Sequence, residues 1–545
     1  MRALGLAFSP RFVVLTFVAL VALLFLGLVA ADAAPGASGL FGLGAVLFGA
    51  LTALGLYDLV QTRHAILRNY PISAHLRFIL EGIRPEMRQY FFESETDGLP
   101  FSRTQRAVVY QRAKMALDKR PFGTLRDTGA AGYEWLGHSM TPKPVAAEGF
   151  RIVVGGPDCP KPYSMSVFNI SAMSFGALSA NAITALNKGA ALGGFAHDTG
   201  EGGYSPHHRA GGGDIIWEIG SGYFGCRTPH GRFDPEKFRA VAAADQIKMI
   251  EIKLSQGAKP GHGGVLPGPK VTPEIAVIRG VEPGKDCISP AAHSAFSTPL
   301  ELVGFIGELR ALSGGKPVGF KLCVGHPWEF LGVCKAMVAT GIYPDFVVVD
   351  GMEGGTGAAP LEFADHLGVP MREGLVFVRN ALIGINARDR IRIGCSGKIV
   401  NGFDIARAMA LGADWCNAAR GFMFALGCIQ SMSCHTDLCP TGVATQDPTR
   451  SRALVVADKT ERVRRYHASM LHALAELAAA AGLDHPHAFK PEHFSRRVST
   501  NESMTFAELY PALRRGELIT GAHDKRWREM WEAARAESFA PASPL

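Results

Sequence analysis

The sequence predicts an α/β protein: a (β/α)8 TIM-type barrel with an N-terminal two-helix transmembrane hairpin and helical flanking segments. Three observations predict it. Two long uncharged runs open the chain, and eight short apolar runs follow from residue 150, several separated by stretches of helical spacing. Most of those runs close on a polar or glycine residue, as barrel strands do at the end that carries chemistry. At 545 residues the chain is long enough for several units around a large core. The expected divisions are a hairpin over 1–60, a helical approach segment over 61–149, the barrel over 150–450 and a helical extension over 451–545.

Residues 12–31 are 20 positions with no charge, long enough to cross a bilayer core of roughly 30 Å. A second uncharged run covers about 39–57. The AADAA segment resembles a signal-peptide cleavage site, but the first run is longer than a usual signal core and a second span follows at once. Arg2 and Arg11 precede the first span, and Arg63, His64, Arg68 and Arg77 follow the second, whereas the loop between them holds only Asp32. The positive-inside rule then predicts a two-pass protein of the inner (cytoplasmic) membrane with its catalytic part in the cytoplasm.

Residues 61–150 are polar and rich in Arg and Gln, with helical spacing over 85–119. The predicted strands are 166–171, 194–200, 214–220, 248–254, 318–323, 345–351, 391–397 and 414–420, with helices over 179–192, 299–313, 327–341 and 402–412. Strand ends release Ser171, Glu201, Lys253, Lys321, Asp350, Ser396 and Arg420 toward one rim.

The net charge of +7 reflects 56 basic against 49 acidic residues, and no basic stripe is interleaved with aromatics, which argues against nucleic acid as a partner. Seven of the ten cysteines stand singly in apolar or glycine-rich settings and read as reduced core thiols. The other three are bunched.

GCSGKIVNG (394–402) and AARG (418–421) fall after the seventh and eighth strands, where barrels hold phosphate with backbone N–H groups and a helix N-terminus. Ser396, Gly397, Arg420 and Gly421 are the candidate contacts, with ordinary turn glycines as the alternative. GGTGAAP (354–360), after Asp350, adds Gly354, Gly355 and Gly357 at the same rim. Ser171 and Ser174 in SAMSFGALS (171–179) would bring backbone beside a flat ring. Lys321, inside a barrel, needs an anion, either a reduced flavin or a rim carboxylate. Glu201, Lys259 and Arg279 offer two cations and a carboxylate suited to a dicarboxylate substrate, unless they are charges of a mobile loop. Cys428-x5-Cys434-x4-Cys439-Pro440 places three thiolates within twelve residues. Zinc with His435 as a fourth ligand is conceivable, but three cysteines without an evident fourth suit a [3Fe–4S] cluster better.

Together SFGALS, DTGEGG (198–203), QGAKPG, DGMEGGTGA and GCIQSMSCHTDLCPTGVATQ (427–446) resemble the FMN-binding domain of glutamate synthase over about 150–450. The resemblance implies a barrel holding FMN and a [3Fe–4S] cluster that reduces 2-iminoglutarate, formed from 2-oxoglutarate and ammonia, to L-glutamate. It implies that Glu201, Lys259 and Arg279 hold the keto acid and that Cys428, Cys434 and Cys439 hold the cluster. Three departures accompany it. A membrane span stands where the family's large enzymes carry a glutaminase domain, so a nitrogen source other than glutamine is expected. The usual KPGEGGQ is KPGHGGV here, with His262 and Val265, and the usual FGTG is NAARG (417–421). No dinucleotide-binding βαβ unit is evident, so electrons are expected from a separate carrier such as ferredoxin or a reductase subunit. The expected activity is oxidoreduction at the CH–NH2 group of an amino acid, with the membrane and a homo-oligomer as further expected partners. The alternatives are a membrane-bound flavin dehydrogenase passing electrons from another amine-derived substrate to quinone, and a non-catalytic redox-sensing subunit.

Overall fold

The computed structural model describes residues 7–34 and 36–542, and these fall into two compact units, Met1–Arg103 and Thr104–Leu545. Arg2, one of the arginines expected to orient the hairpin, lies outside the described residues.

In the first unit, α1 (Val13–Ala30) and α2 (Ser38–Val60) are 18 and 23 residues long and apolar enough to cross a membrane. They pack as a pair because small residues let the backbones close. A methyl on Gly44 would come within 2.8 Å of the Phe25 ring, and that ring stacks on Phe48 with centroids 5.8 Å apart. After a one-turn helix over Ala65–Asn69, α3 (Ser73–Met87) runs on into a short wider turn over Arg88–Phe92.

The second unit is built on a closed barrel of eight parallel strands: β1 (Phe168–Ile170), β2 (His197–Asp198), β3 (Ile215–Ile219), β4 (Ile247–Lys253), β5 (Val318–Leu322), β6 (Phe346–Asp350), β7 (Arg392–Ser396) and β8 (Trp415–Ala418). Each matches one of the eight predicted runs, with β4 beginning one residue before its run, and β8 pairs with β1 to close the ring. The helices between them start where the sequence caps them. Ser179 accepts from the Ala182 N–H to open α4 (Ala180–Gly193). Thr298 accepts from Glu301 N–H, with Pro299 at the first helical position, to open α5 (Pro299–Leu312). The helices α6 (Pro327–Thr340), α7 (Met371–Gly384) and α8 (Gly402–Ala410) follow β5, β6 and β7. Asn401 and Asp404 close a reciprocal capping pair at the start of α8.

An antiparallel hairpin, Arg151–Val154 with Tyr163–Ser166, precedes β1. Its Val154 and Met165 pack with Phe346 and Trp415, the first residues of β6 and β8, together with Ile216, Val348 and Met249. This apolar plug closes the N-terminal end of the barrel, so the opposite, C-terminal rim is the one left for chemistry. The flanking segments are not helical throughout. Glu134–Leu136 pairs with Phe494–Arg497, which pairs in turn with Ser503–Thr505, in a three-stranded antiparallel sheet.

Candidate functional site

At the C-terminal rim the loops after β2, β3 and β4 converge on Glu201. Its carboxylate lies 3.1 Å from Lys253 Nζ, at the end of β4, and accepts from Ser289 Oγ at 3.2 Å. Glycines seat it: a methyl on Gly220 would sit 2.8 Å from the Glu201 side chain, and one on Gly264 would collide with the carboxylate. Burial pushes the Glu201 pKa upward, but Lys253 and Arg279 outweigh it and hold the carboxyl below its ordinary range.

Arg279 ends a short helix, Pro273–Arg279, and is buried. One guanidinium nitrogen donates to Phe175 O at 3.1 Å and to Ser174 Oγ at 3.4 Å, and the group lies over the Phe224 ring at 5.2 Å. Its Nε has no partner. Lys259 is also buried, with Nζ 3.4 Å from Ala358 O. Burial lowers its pKa against the opposing pull of Glu201, and Lys253 adds to the lowering. The three residues expected to bind substrate thus share one electrostatic neighbourhood. Ser174 joins it to the loop after β1.

The expected cofactor residues occupy the same rim. Ser171 N–H donates to Ala418 O, tying the end of β1 to β8. Ser396 Oγ donates to Asp350, whose other oxygen accepts from Gly257 N–H at 2.7 Å. Gly397 and Gly421 have no room for side chains beside Met371 and the Tyr466 hydroxyl. A methyl on Gly355 would stand 3.5 Å from the Arg420 guanidinium, and one on Gly357 would stand 3.3 Å from Cys434 O. Gly354 backs onto Gly351 O and Ala258. Gly355 facing the Arg420 guanidinium gives a cradle that fits a phosphate, and the other glycines pack against protein atoms around it. Asn417 of β8 is buried with its Oδ1 unpartnered, a free polar atom in the same wall.

The cysteine loop lies against this cradle. Arg420 Nη1 is 3.8 Å from Cys434 Sγ. Burial raises the Cys428 pKa, with the neighbouring Cys434 and Cys439 adding and Arg420 opposing. At Cys439 burial is outweighed by hydrogen bonds from the Thr441 hydroxyl and from the Ala444, Thr441 and Val443 backbones, so its pKa falls below the ordinary thiol value. A donor set of that kind fits a thiolate ligand. Beneath the loop, buried Lys270 donates to Cys434 O and Ala444 O, both at 3.0 Å, and to Ala177 O at 3.3 Å. Gln446 Nε2 donates to Gly176 O and Leu178 O at 3.0 and 2.8 Å.

Lys321 points to carboxylates of the barrel interior. It pairs with Glu218 of β3 and lies 3.1 Å from Glu251 of β4, and Asp198, Glu218 and Glu251 close within 4.8 Å of one another. Burial disfavours the ammonium, yet the surrounding acids carry its pKa well above the ordinary value. Asp198 and Glu251 are pushed upward by burial and by their acidic neighbours.

Sequence reasoning weighed a carboxylate partner for Lys321 but did not assign Asp198, Glu218 or Glu251, nor Lys270, nor Lys253 as the partner of Glu201. The signal available was an acid inside each of the apolar runs IIWEI and IKMIEIK, which burial without a counter-ion would penalise. In the KPGHGGV departure, His262 turns Nδ1 to Gly263 O at 2.8 Å and packs edge-on to Phe363, and Val265 enters a two-residue strand beside Cys287–Ile288.

The family described as "Conserved region in glutamate synthase" matches residues 159–484. The glutamate synthase large subunit-like protein YerD of Bacillus subtilis is 41% identical over 477 residues, covering 80% of this chain and 90% of that protein. The archaeal glutamate synthase [NADPH] of Methanocaldococcus jannaschii is 37% identical over 323 residues, and the match spans 59% of its length. Among solved structures, a flavocytochrome b2 mutant with benzoylformate overlaps 82% of this chain and 91% of its own, with a TM-score of 0.43 and 11% identity. With more than half its length matched, the chain belongs to the glutamate synthase family.

Proposed function

We propose that this chain is a glutamate synthase-like oxidoreductase that uses FMN and a [3Fe–4S] cluster, is attached to the membrane by its hairpin, and acts at the CH–NH2 carbon of an amino acid. The favoured reaction is reductive amination of 2-oxoglutarate to L-glutamate with electrons from a separate carrier. The observation that carries this reading is Glu201, seated on Lys253 within reach of Lys259 and Arg279 at the barrel's reactive rim. Two buried cations and one ionised carboxylate match a substrate with two carboxylates and a nitrogen.

FMN would be held by Ser171, Ser174, Asp350, Gly354, Gly355, Gly357, Ser396, Gly397, Arg420 and Gly421, with Lys321 below, and the cluster by Cys428, Cys434 and Cys439. When bound, the flavin supplies a two-electron centre and the cluster a one-electron relay. The chain's own residues do the rest. Arg279 and Lys259 bind carboxylate oxygens. Glu201, held ionised, orients ammonia or an iminium nitrogen rather than donating a proton. Lys259, whose charged form burial disfavours, is the group best suited to release one. A second reading, oxidation of another amino acid with electrons passed to quinone, is favoured by His262 and Val265 beside the keto-acid residues and by the two apolar helices.

The test is an anaerobic visible spectrum of the purified protein titrated with 2-oxoglutarate. A flavin envelope with iron–sulfur absorption, perturbed by the keto acid, is expected. Lys259→Ala and Arg279→Ala should each weaken that response about ten- to a hundredfold, for a charge-assisted bond of roughly 1.5–3 kcal/mol. A colourless protein refutes the cofactor assignment. A coloured one that ignores 2-oxoglutarate but answers another amino acid selects the second reading.

A further inference from the structure

The apolar face of α3 has no partner among the described residues. Leu76, Ile79, Leu80, Ile83 and Met87 recur at the spacing of one helical face, and Phe91 and Phe92 extend it. Their exposure runs from 37% at Met87 to 75% at Phe92, too much apolar surface to leave to water without a reason. The flank of the same helix carries Arg77, paired with Glu81 at 2.8 Å, and Arg84, and Arg88 opens the turn that follows. Residues 61–92 hold five arginines against two glutamates, a surplus of three positive charges.

What fixes the height of this helix is Asp58, in the last turn of α2. Asp58 is fully buried, and both its oxygens lie 3.0 Å from His75 Nε2, while Oδ2 also accepts from the Ile72 N–H at 2.9 Å. Ile72 stands at φ 64, a conformation a β-branched residue adopts only when its surroundings impose it. The carboxylate at the end of the second apolar helix thus pins the start of α3 where that helix would leave the bilayer.

We propose that α3 and the Arg88–Phe92 turn lie in the surface of the same bilayer that the hairpin crosses, with the apolar face among the acyl chains and the arginines on anionic phospholipid headgroups. Such a helix is the third membrane contact of the chain and holds the catalytic unit's tether at the interface. The inference rests on the proposed membrane attachment.

The test is full-length protein in vesicles of phosphatidylethanolamine and phosphatidylglycerol, labelled with a photoactivated carbene reagent dissolved in the acyl layer and mapped by mass spectrometry. Labels are expected within 13–60 and also on Leu76, Ile79, Leu80, Ile83, Phe91 and Phe92. The Ile79→Glu/Ile83→Glu variant should lose at least fivefold of the labelling at 76–92 while 13–60 stays labelled. Vesicles of phosphatidylcholine alone should lower labelling at 76–92 several-fold, and equal labelling overturns the anionic-headgroup assignment. Labels confined to 13–60 would overturn the interfacial helix while leaving the hairpin reading intact. Absence of label in both segments would instead sink the membrane attachment itself.

Discussion

Replacing Lys321 with Met removes the one cation among three buried acids. At an effective dielectric of about 20, an ion pair at the 3.1 Å separating Lys321 from Glu251 is worth on the order of 5 kcal/mol before desolvation. The variant escapes the full loss by protonating. Carboxyls with ordinary pKa values of 3.8 and 4.5 can be neutralised at pH 7 for roughly 3–4 kcal/mol each, at about 1.36 kcal/mol per pH unit. A net destabilisation of about 3–5 kcal/mol at pH 7 follows, the usual cost of orphaning a buried charge. The sign of its pH dependence is fixed. In the variant the buried carboxyls have folded pKa values raised above their unfolded ones, so their contribution is fully present at low pH and is lost as pH rises. The gap to wild type in unfolding free energy, measured in denaturant on detergent-solubilised protein, should widen between pH 5 and pH 8. Lys321→Met/Glu251→Gln, which removes one of the stranded charges, should recover part of it. A single variant within 1 kcal/mol of wild type at every pH, or a gap that narrows as pH rises, would refute the reasoning.

Gly264→Ala should displace Glu201, into whose carboxylate the added methyl would project, and lower turnover at least tenfold with a small change in melting temperature; Gly304→Ala, where nothing lies within 4 Å, is the control and should behave as wild type. Lys270→Met leaves three carbonyls without their donor and should cost about 2–4 kcal/mol, read as a lower melting temperature together with a reduced iron-to-protein ratio; a normal ratio would show that the loop holds its shape without it. His197, His293 and His467 are buried neutral, their pKa values lowered from 6.5 to about 3, 4 and 3 by desolvation. Folded values below the unfolded ones mean stability present above pH 6.5 and lost as pH falls toward those values, so the melting temperature should drop from pH 7 to pH 5, and His467→Gln should flatten the slope.

The barrel was legible because its signal is local. An apolar run closed by Lys253, Asp350 or Ser396 announces both a strand and its reactive end within seven residues. The residues proposed to bind substrate stood out through the glycine-rich spacing around Lys259. What was hidden depends on partners far away in sequence. Glu218 meets Lys321 across 103 positions, and an acid in IIWEI gives no hint of that cation. Lys270 in PGPK looks like a turn residue until Cys434, 164 positions on, presents its carbonyl. The antiparallel sheet joining Glu134–Leu136 to Phe494–Arg497 was missed for the same reason, since three- and four-residue strands lack the length for a visible period.

The ties of the cysteine loop have a consequence for the order of assembly. Lys270 and Gln446 fasten residues 434–446 to the 176–178 turn, 268 and 270 positions away for Gln446, so closing them requires chain segments that meet only when the barrel ring is complete. A loop that takes shape this late would take up the proposed cluster only after folding, unlike small zinc modules, in which the ion itself organises the chain. Pulse-labelled hydrogen exchange should therefore show amides of 434–446 gaining protection after those of β1 and β8, and the same order should hold when iron is withheld.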